Sequence, residues 1–202
     1  LDSLGKYAEL CWQKTRENSA YISKYIAVSE FYAQLMAQKL ALEPEHITAC
    51  YSGVDFADYE SVKKKMDGPP TIGYLSRICQ GKGFDRLVSA FITLKKQARF
   101  ADLRLMVSGG SIGDDKFIAQ QKNIISEAGF GDSVTFIDHF VDLKERISFF
   151  ESIDLLCVPE RQPVAHGRYF IEAMAANIPA IVPNTGVFNE LAAKVCPELT
   201  FN

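Results

Sequence analysis

The sequence predicts an α/β protein whose main body is a Rossmann-like, doubly wound parallel sheet. Three observations point there. From Thr71 onward short apolar runs recur without polar alternation, each is followed by a segment of helical spacing, and glycines stand where several of the runs end. Strands covered on both faces read as continuous apolar runs, and a parallel pair needs a crossover long enough to hold a helix. In such a sheet ligands bind at the carboxyl ends of the strands.

Residues 4–17 place Leu4, Tyr7, Ala8, Cys11 and Trp12 at helical spacing, an amphipathic helix with Trp12 in the core. YISKYIAVS is rich in β-branched and aromatic residues and reads as a strand, with Ser29 as N-cap of a helix running to Leu40. ITACYSG is a second short strand closed by Gly53, and His46 before it is a surface residue. Val54 to Pro70 carries charges, a glycine and two prolines, the composition of a connector, so the domains are set at 1–66 and 67–202. The alternation then runs TIGYLS strand, FDRLVSAFITLKKQ helix, LRLMVSGG strand and DDKFIAQQKNIISEAG helix. It continues with SVTFID strand, DLKERISFF helix, DLLCVP strand, a helix over roughly 167–176, AIVP strand and a helix from about Val187.

With 202 residues, 48% of them hydrophobic and 23% charged, the chain has the balance of a globular protein. A net charge of −3 and a longest basic run of only Lys63-Lys64-Lys65 exclude a nucleic-acid footprint. The five cysteines show no C-x-x-C pair and no His at ligand spacing. Cys50 and Cys157 lie in apolar runs and are expected to be buried in strands, which implies reduced thiols and a cytoplasmic setting. No apolar stretch approaches the roughly 20 residues of a membrane span, so any contact with the inner membrane face would be peripheral.

The candidate site lies at the carboxyl ends of the predicted strands. In GYLSRICQGKGFDRL, Gly73, Arg77, Lys82 and Gly83 are placed on the loop entering a helix. A diphosphate needs fixed positive charge and backbone N–H groups, and such a loop supplies both. The alternative is an exposed basic loop. Ser108-Gly109-Gly110 and Asp138-His139-Phe140 each follow a strand, the glycines permitting close backbone approach. In the stretch VPERQPVAHGRYFIEAMAANIPAIVPNTG, Gly167 opens a helix and Glu172 lies inside it among small residues. A carboxylate buried unpaired is costly, and the two hydroxyls of a ribose are its expected partners.

These residues carry a resemblance. YIAVSE, YSGVDF, IGYLSR with KGFDRL, LRLMVSGG and FIEAMAANIPAIVPNTG resemble, in order and spacing from about Tyr21 to Leu191, the glycogen-synthase-like and sucrose-synthase-like retaining glycosyltransferases of the GT-B class. The resemblance implies a donor-binding C-terminal GT-B domain preceded by part of the acceptor-side domain, without the family's closing helices. It implies that Arg77 and Lys82 neutralise the diphosphate of a UDP- or GDP-sugar as the leaving group departs. It also implies that Glu172 holds the ribose, that Gly109 and Gly110 line the cleft floor, and that the backbone around Phe140 meets the base. No metal or other cofactor is implied. The acceptor would be a glycan or lipid-linked, and the missing N-terminal domain or a second copy of the chain would complete the structure.

The sequence departs from that pattern at Val164, where the family carries a Glu near the donor sugar. Glu160 and His166 are the candidates to replace it. Glu160 is read as a solvated loop residue by the general exposure of Glu, and His166 as a sugar or phosphate contact just before a helix N-terminus. Ser52 stands where Asn is usual, and Gly53 and Asp55 are read as turn residues. A nucleotide-sugar 2-epimerase of the same architecture and a catalytically silent nucleotide-binding module are the alternatives to a transferase.

Overall fold

A computed structural model describes residues 2–63, 68–110, 114–137, 140, 142–195 and 199–201. Its contacts divide the chain into two units. The first holds residues 1–52 with Val164–His166, and the second holds 53–163 with 167–202. The division thus falls at Ser52/Gly53, and the segment read as a connector packs with the second unit.

In the first unit, α1 (Ala8–Ser19) follows a 3-10 segment at Asp2–Tyr7. Trp12 is its buried residue, with the Lys39 ammonium 5.2 Å from the indole centroid. β1 (Tyr25–Ala27) and β2 (Ile47–Ala49) pair in parallel, Ile26 opposite Thr48. Between them runs α2 (Glu30–Leu40), where the Tyr32 N–H donates to Ser29 Oγ at 3.1 Å, the N-cap the sequence predicts. The strand pair is shorter than the apolar runs suggest, and Cys50, just past β2, is exposed rather than buried. Asp55 Oδ1 accepts from the Ala57 N–H at 3.0 Å and starts a 3-10 turn in the second unit. Gly53 has open space around it and no left-handed backbone, so nothing local demands glycine there.

The second unit is the predicted parallel sheet. Its strands are β3 (Thr71–Leu75), β4 (Arg104–Ser108), β5 (Val134–Phe136), β6 (Leu155–Cys157), β7 (Ala180–Pro183) and β8 (Thr200–Phe201). They lie in the order β5-β4-β3-β6-β7-β8, all parallel. The helices between them are α3 (Phe84–Lys95), α4 (Asp115–Glu127), α5 (Leu143–Glu151), α6 (Arg168–Ala175) and α7 (Phe188–Val195). This is the Rossmann order, with the direction of strand addition reversing between β3 and β6.

An aromatic core fixes the helices to the sheet. Tyr74, Phe84, Phe91, Phe149, Phe150, Phe170 and Phe188 are fully buried, and burying each ring stabilises the fold by about 1.5–3 kcal/mol. Several meet edge to face, as Tyr74 and Phe84 do at 5.0 Å and Phe149 and Phe150 at 5.6 Å. Gly73 belongs to this core. It is the middle residue of β3, not part of a loop, and a Cβ there would press on the side chains of Ile153 and Phe149. Its role is to admit those side chains. Cys157 lies in β6, where burial pushes its thiol up to about 12. Lys64, Lys65 and Cys196 fall outside the described residues.

Candidate functional site

β3 and β6 are neighbours, Ile72 opposite Leu155, and the loops leaving their carboxyl ends face the crevice that the reversal of strand order creates. The β3 loop is held from several sides. Ser76 N–H donates to the Ser108 carbonyl at 3.2 Å, Ile78 N–H to the Gly110 carbonyl at 3.1 Å, and the buried Tyr74 hydroxyl to the Arg77 carbonyl at 2.9 Å. Gly109 is required there: its φ is 138°, and a Cβ would overlap the Ser76 carbonyl. Gly110, with φ 78°, continues the turn.

Arg77 leaves this loop with a side chain 60% exposed, its Nε 3.2 Å from Asp114 Oδ2 at the start of α4. A 3-10 turn over Gln80–Lys82 then leads to Gly83, which begins α3 with φ 70°. A Cβ on Gly83 would overlap the Pro159 carbonyl of the β6 loop, so the two loops touch backbone to backbone. Arg161 ties them further. Its N–H donates to the Gly81 carbonyl at 3.1 Å, its Nε to the Gln80 carbonyl at 3.0 Å, and its guanidinium pairs with Asp85.

Between these loops lies Glu160, and here the reading of a solvated loop residue is overturned. Glu160 is only 3% exposed, in a loop that packs on Gly83 through Pro159 and is met from α6 by Tyr169. Lys82 Nζ donates to both carboxylate oxygens at 2.8 Å, and the Tyr169 hydroxyl donates to Oε1 at 2.9 Å. A charge taken out of water needs such partners. Burial first, and then the Glu160 charge, raise the Tyr169 hydroxyl well above the usual phenol range, so it stays a donor.

Glu172, also buried, lies one turn further along α6 than Tyr169. Its partners come from the chain itself. Arg146 Nη1 of α5 donates to Oε1 at 2.7 Å, and Arg168 Nε, one turn earlier on α6, donates to the same oxygen at 2.9 Å. The Arg146 guanidinium also sits 6.0 Å from the Phe140 ring, which is buried against Phe149 at 5.5 Å. Tyr59 is buried nearby; desolvation and then the Glu172 charge raise its hydroxyl. Gly167, with φ 58°, turns the chain into α6, and a Cβ there would press on Phe188.

Lys82, Glu160 and Tyr169 thus form one hydrogen-bonded group between the two loops and α6, Glu172 follows Tyr169 by one turn of that helix, and Arg77 leaves the same loop as Lys82. Glu172 is joined by Arg146 and Arg168, which sequence reasoning missed. A basic residue on the apolar-facing helix DLKERISFF was the available sign. His166 is described with the other unit. It belongs to the first unit, where Nδ1 lies 3.1 Å from Ser52 Oγ, and Val164 belongs there too. Asp138 and His139 lie outside the described residues.

The profile of the family described as Glycosyl transferases group 1 matches residues 55–194, well over half of the chain. The chain belongs to the group 1 glycosyltransferases. It is 29% identical over 147 residues to the 2-deoxystreptamine glucosyltransferase of Streptomyces kanamyceticus, covering 71% of this chain and 36% of that protein. It is 26% identical over 138 residues to the lipopolysaccharide core biosynthesis mannosyltransferase LpsB of Rhizobium meliloti, covering 66% of this chain and 38% of that protein. The chain therefore spans little more than a third of the length of these curated relatives. Among solved structures, Anabaena Alr3699/HepE in complex with UDP-glucose superposes with a TM-score of 0.71 at 19% identity, over 84% of this chain and 47% of that one. That likeness shows the shared GT-B fold. Among the described residues no helix is long and apolar enough to cross a membrane.

Proposed function

We propose that this chain forms the donor-binding part of a group 1 glycosyltransferase, holding a nucleoside diphosphate sugar at the β3/β6 crevice. The observation that carries the reading is the Lys82–Glu160–Tyr169 group, which joins the predicted phosphate loop to the helix bearing the predicted ribose carboxylate. Arg77, mostly solvent-facing, is assigned to a phosphate. The first turn of α3 adds backbone N–H groups. Both guanidiniums bond Glu172 Oε1, and the ribose hydroxyl is assigned to Oε2.

In this role the residues act on the leaving group. As the bond between the anomeric carbon and the diphosphate oxygen breaks, the electron pair leaves on the diphosphate, and Arg77 and Lys82 stabilise that growing charge. The protein cations would take the part that a metal plays elsewhere, so binding and transfer are proposed to be metal-independent. Retention of anomeric configuration and a glycan or lipid-linked acceptor complete the reading. In support, the names of the curated relatives give glucosyl and mannosyl transfer, and the Anabaena neighbour holds UDP-glucose.

Calorimetric titration with UDP and GDP, with and without EDTA, tests it. Binding should survive EDTA, and Arg77→Ala and Lys82→Ala should each cost about 1.5–3 kcal/mol, as a charged hydrogen bond does. Unchanged affinity in both variants would remove the phosphate assignment.

A further inference from the structure

We propose that Glu160 is a positioning residue: it fixes the Lys82 ammonium for a donor phosphate and makes no contact with the donor itself. This rests on the nucleoside-diphosphate reading above. Its carboxylate is committed within the protein rather than to a sugar hydroxyl in place of the acid absent at Val164. Oε1 already accepts from Lys82 and Tyr169, and Oε2 accepts from Lys82.

What Glu160 does is set a direction. A lysine side chain is a flexible four-carbon stem ending in three N–H donors, and holding it costs rotamer entropy. Two of those donors are spent on Glu160, and the Lys82 side chain is 33% exposed, so the third is offered outward from a fixed nitrogen. The support is stiff: Tyr169 holds the carboxylate from α6, Gly83 packs on Pro159, and Arg161 bonds to Gln80 and Gly81. The ammonium is thus ordered before any ligand arrives, which removes that cost from binding.

The opposite expectation is equally definite. If Glu160 merely competed with phosphate for the ammonium, removing its charge would strengthen anion binding. The sign of the effect decides. Wild type, Glu160→Gln, Lys82→Met and the double variant are titrated with UDP and GDP, following the nucleotide that binds wild type more tightly. In parallel, the Lys82 Nζ signal is followed by 15N NMR. We expect Glu160→Gln and Lys82→Met each to weaken binding about ten-fold or more, with the double variant no weaker than Lys82→Met. We also expect a slowly exchanging Lys82 ammonium signal in wild type that disappears in Glu160→Gln.

Unchanged or tighter binding by Glu160→Gln would overturn the proposal, as would a further loss in the double variant. If wild type bound neither nucleotide at millimolar concentration, the donor reading would fall, and with it the phosphate as the ammonium's target. The NMR signal would then still decide whether Glu160 orders Lys82. Should Glu160→Gln not fold, Tyr169→Phe serves in its place. It should weaken binding several-fold when Lys82 is present and have no further effect when combined with Lys82→Met. An equal loss in both backgrounds would overturn the proposal.

Discussion

Arg146 and Glu172, from two different helices, meet through a 2.7 Å hydrogen bond, and Arg168 shares the same carboxylate oxygen. The two arginines differ in setting. Arg146 is 30% exposed and lies over Phe140, whereas Arg168 is 62% exposed. We expect Arg146→Ala to cost about 2–3 kcal/mol, since it strips a buried carboxylate of its better-shielded partner. Arg168→Ala should stay within about 1 kcal/mol, as exposed i,i+4 pairs do. Urea unfolding of the two variants checks the order.

Removing Lys82 alone leaves the Glu160 carboxylate buried with only the Tyr169 hydroxyl beside it. Lys82→Ala should therefore destabilise the fold by about 3 kcal/mol. Lys82→Ala combined with Glu160→Gln should recover a good part of that, because no buried charge remains. Equal unfolding midpoints for the single and double variants would count against the buried pair.

Two glycines at the site are fixed by backbone contact. Gly83 and Gly109 have φ of 70° and 138°, and a Cβ on either would overlap a carbonyl of the neighbouring loop. Alanine at either should cost at least about 1–3 kcal/mol and displace the loop. Gly53→Ala is the control, with open space and no left-handed backbone, and should change stability by less than about 0.5 kcal/mol.

Burial raises the hydroxyls of Tyr74 and Tyr169 above their ordinary value, and the charge of Glu160 adds to both. Above about pH 10 the unfolded chain loses these protons while the folded chain keeps them, so stability falls as pH rises. Below about pH 10 the contribution is fully present. The expected slope is up to about 1.4 kcal/mol per pH unit for each such tyrosine. Denaturant midpoints between about pH 8 and 11 measure it, and Tyr169→Phe should flatten the decline.

The sheet was legible because its strands are apolar runs with helical segments between them, a pattern that depends only on local spacing. β8 was not, since Thr200 and Phe201 are too few to show a period. Gly73 was misplaced because glycine marks turns more often than it marks a strand residue facing a large neighbour such as Ile153. Glu160 was misjudged for a different reason. Exposure is the rule for Glu, and its partner Lys82 lies 78 residues away, on a strand loop that becomes adjacent only in the folded sheet. Glu172 was recognised as buried, but the arginines that balance it come from α5 and the start of α6, which spacing alone does not bring together.

The most direct test is a map of backbone amide shifts as UDP or GDP is added to the isotopically labelled chain. We expect the largest changes at Ser76–Gly83, at Val158, Glu160 and Arg161, and at Arg168–Glu172, with Arg77→Ala weakening the response. Saturable changes confined to the amino ends of β3 and β6, or no change with either nucleotide at millimolar concentration, would contradict a nucleotide site at the β3/β6 crevice.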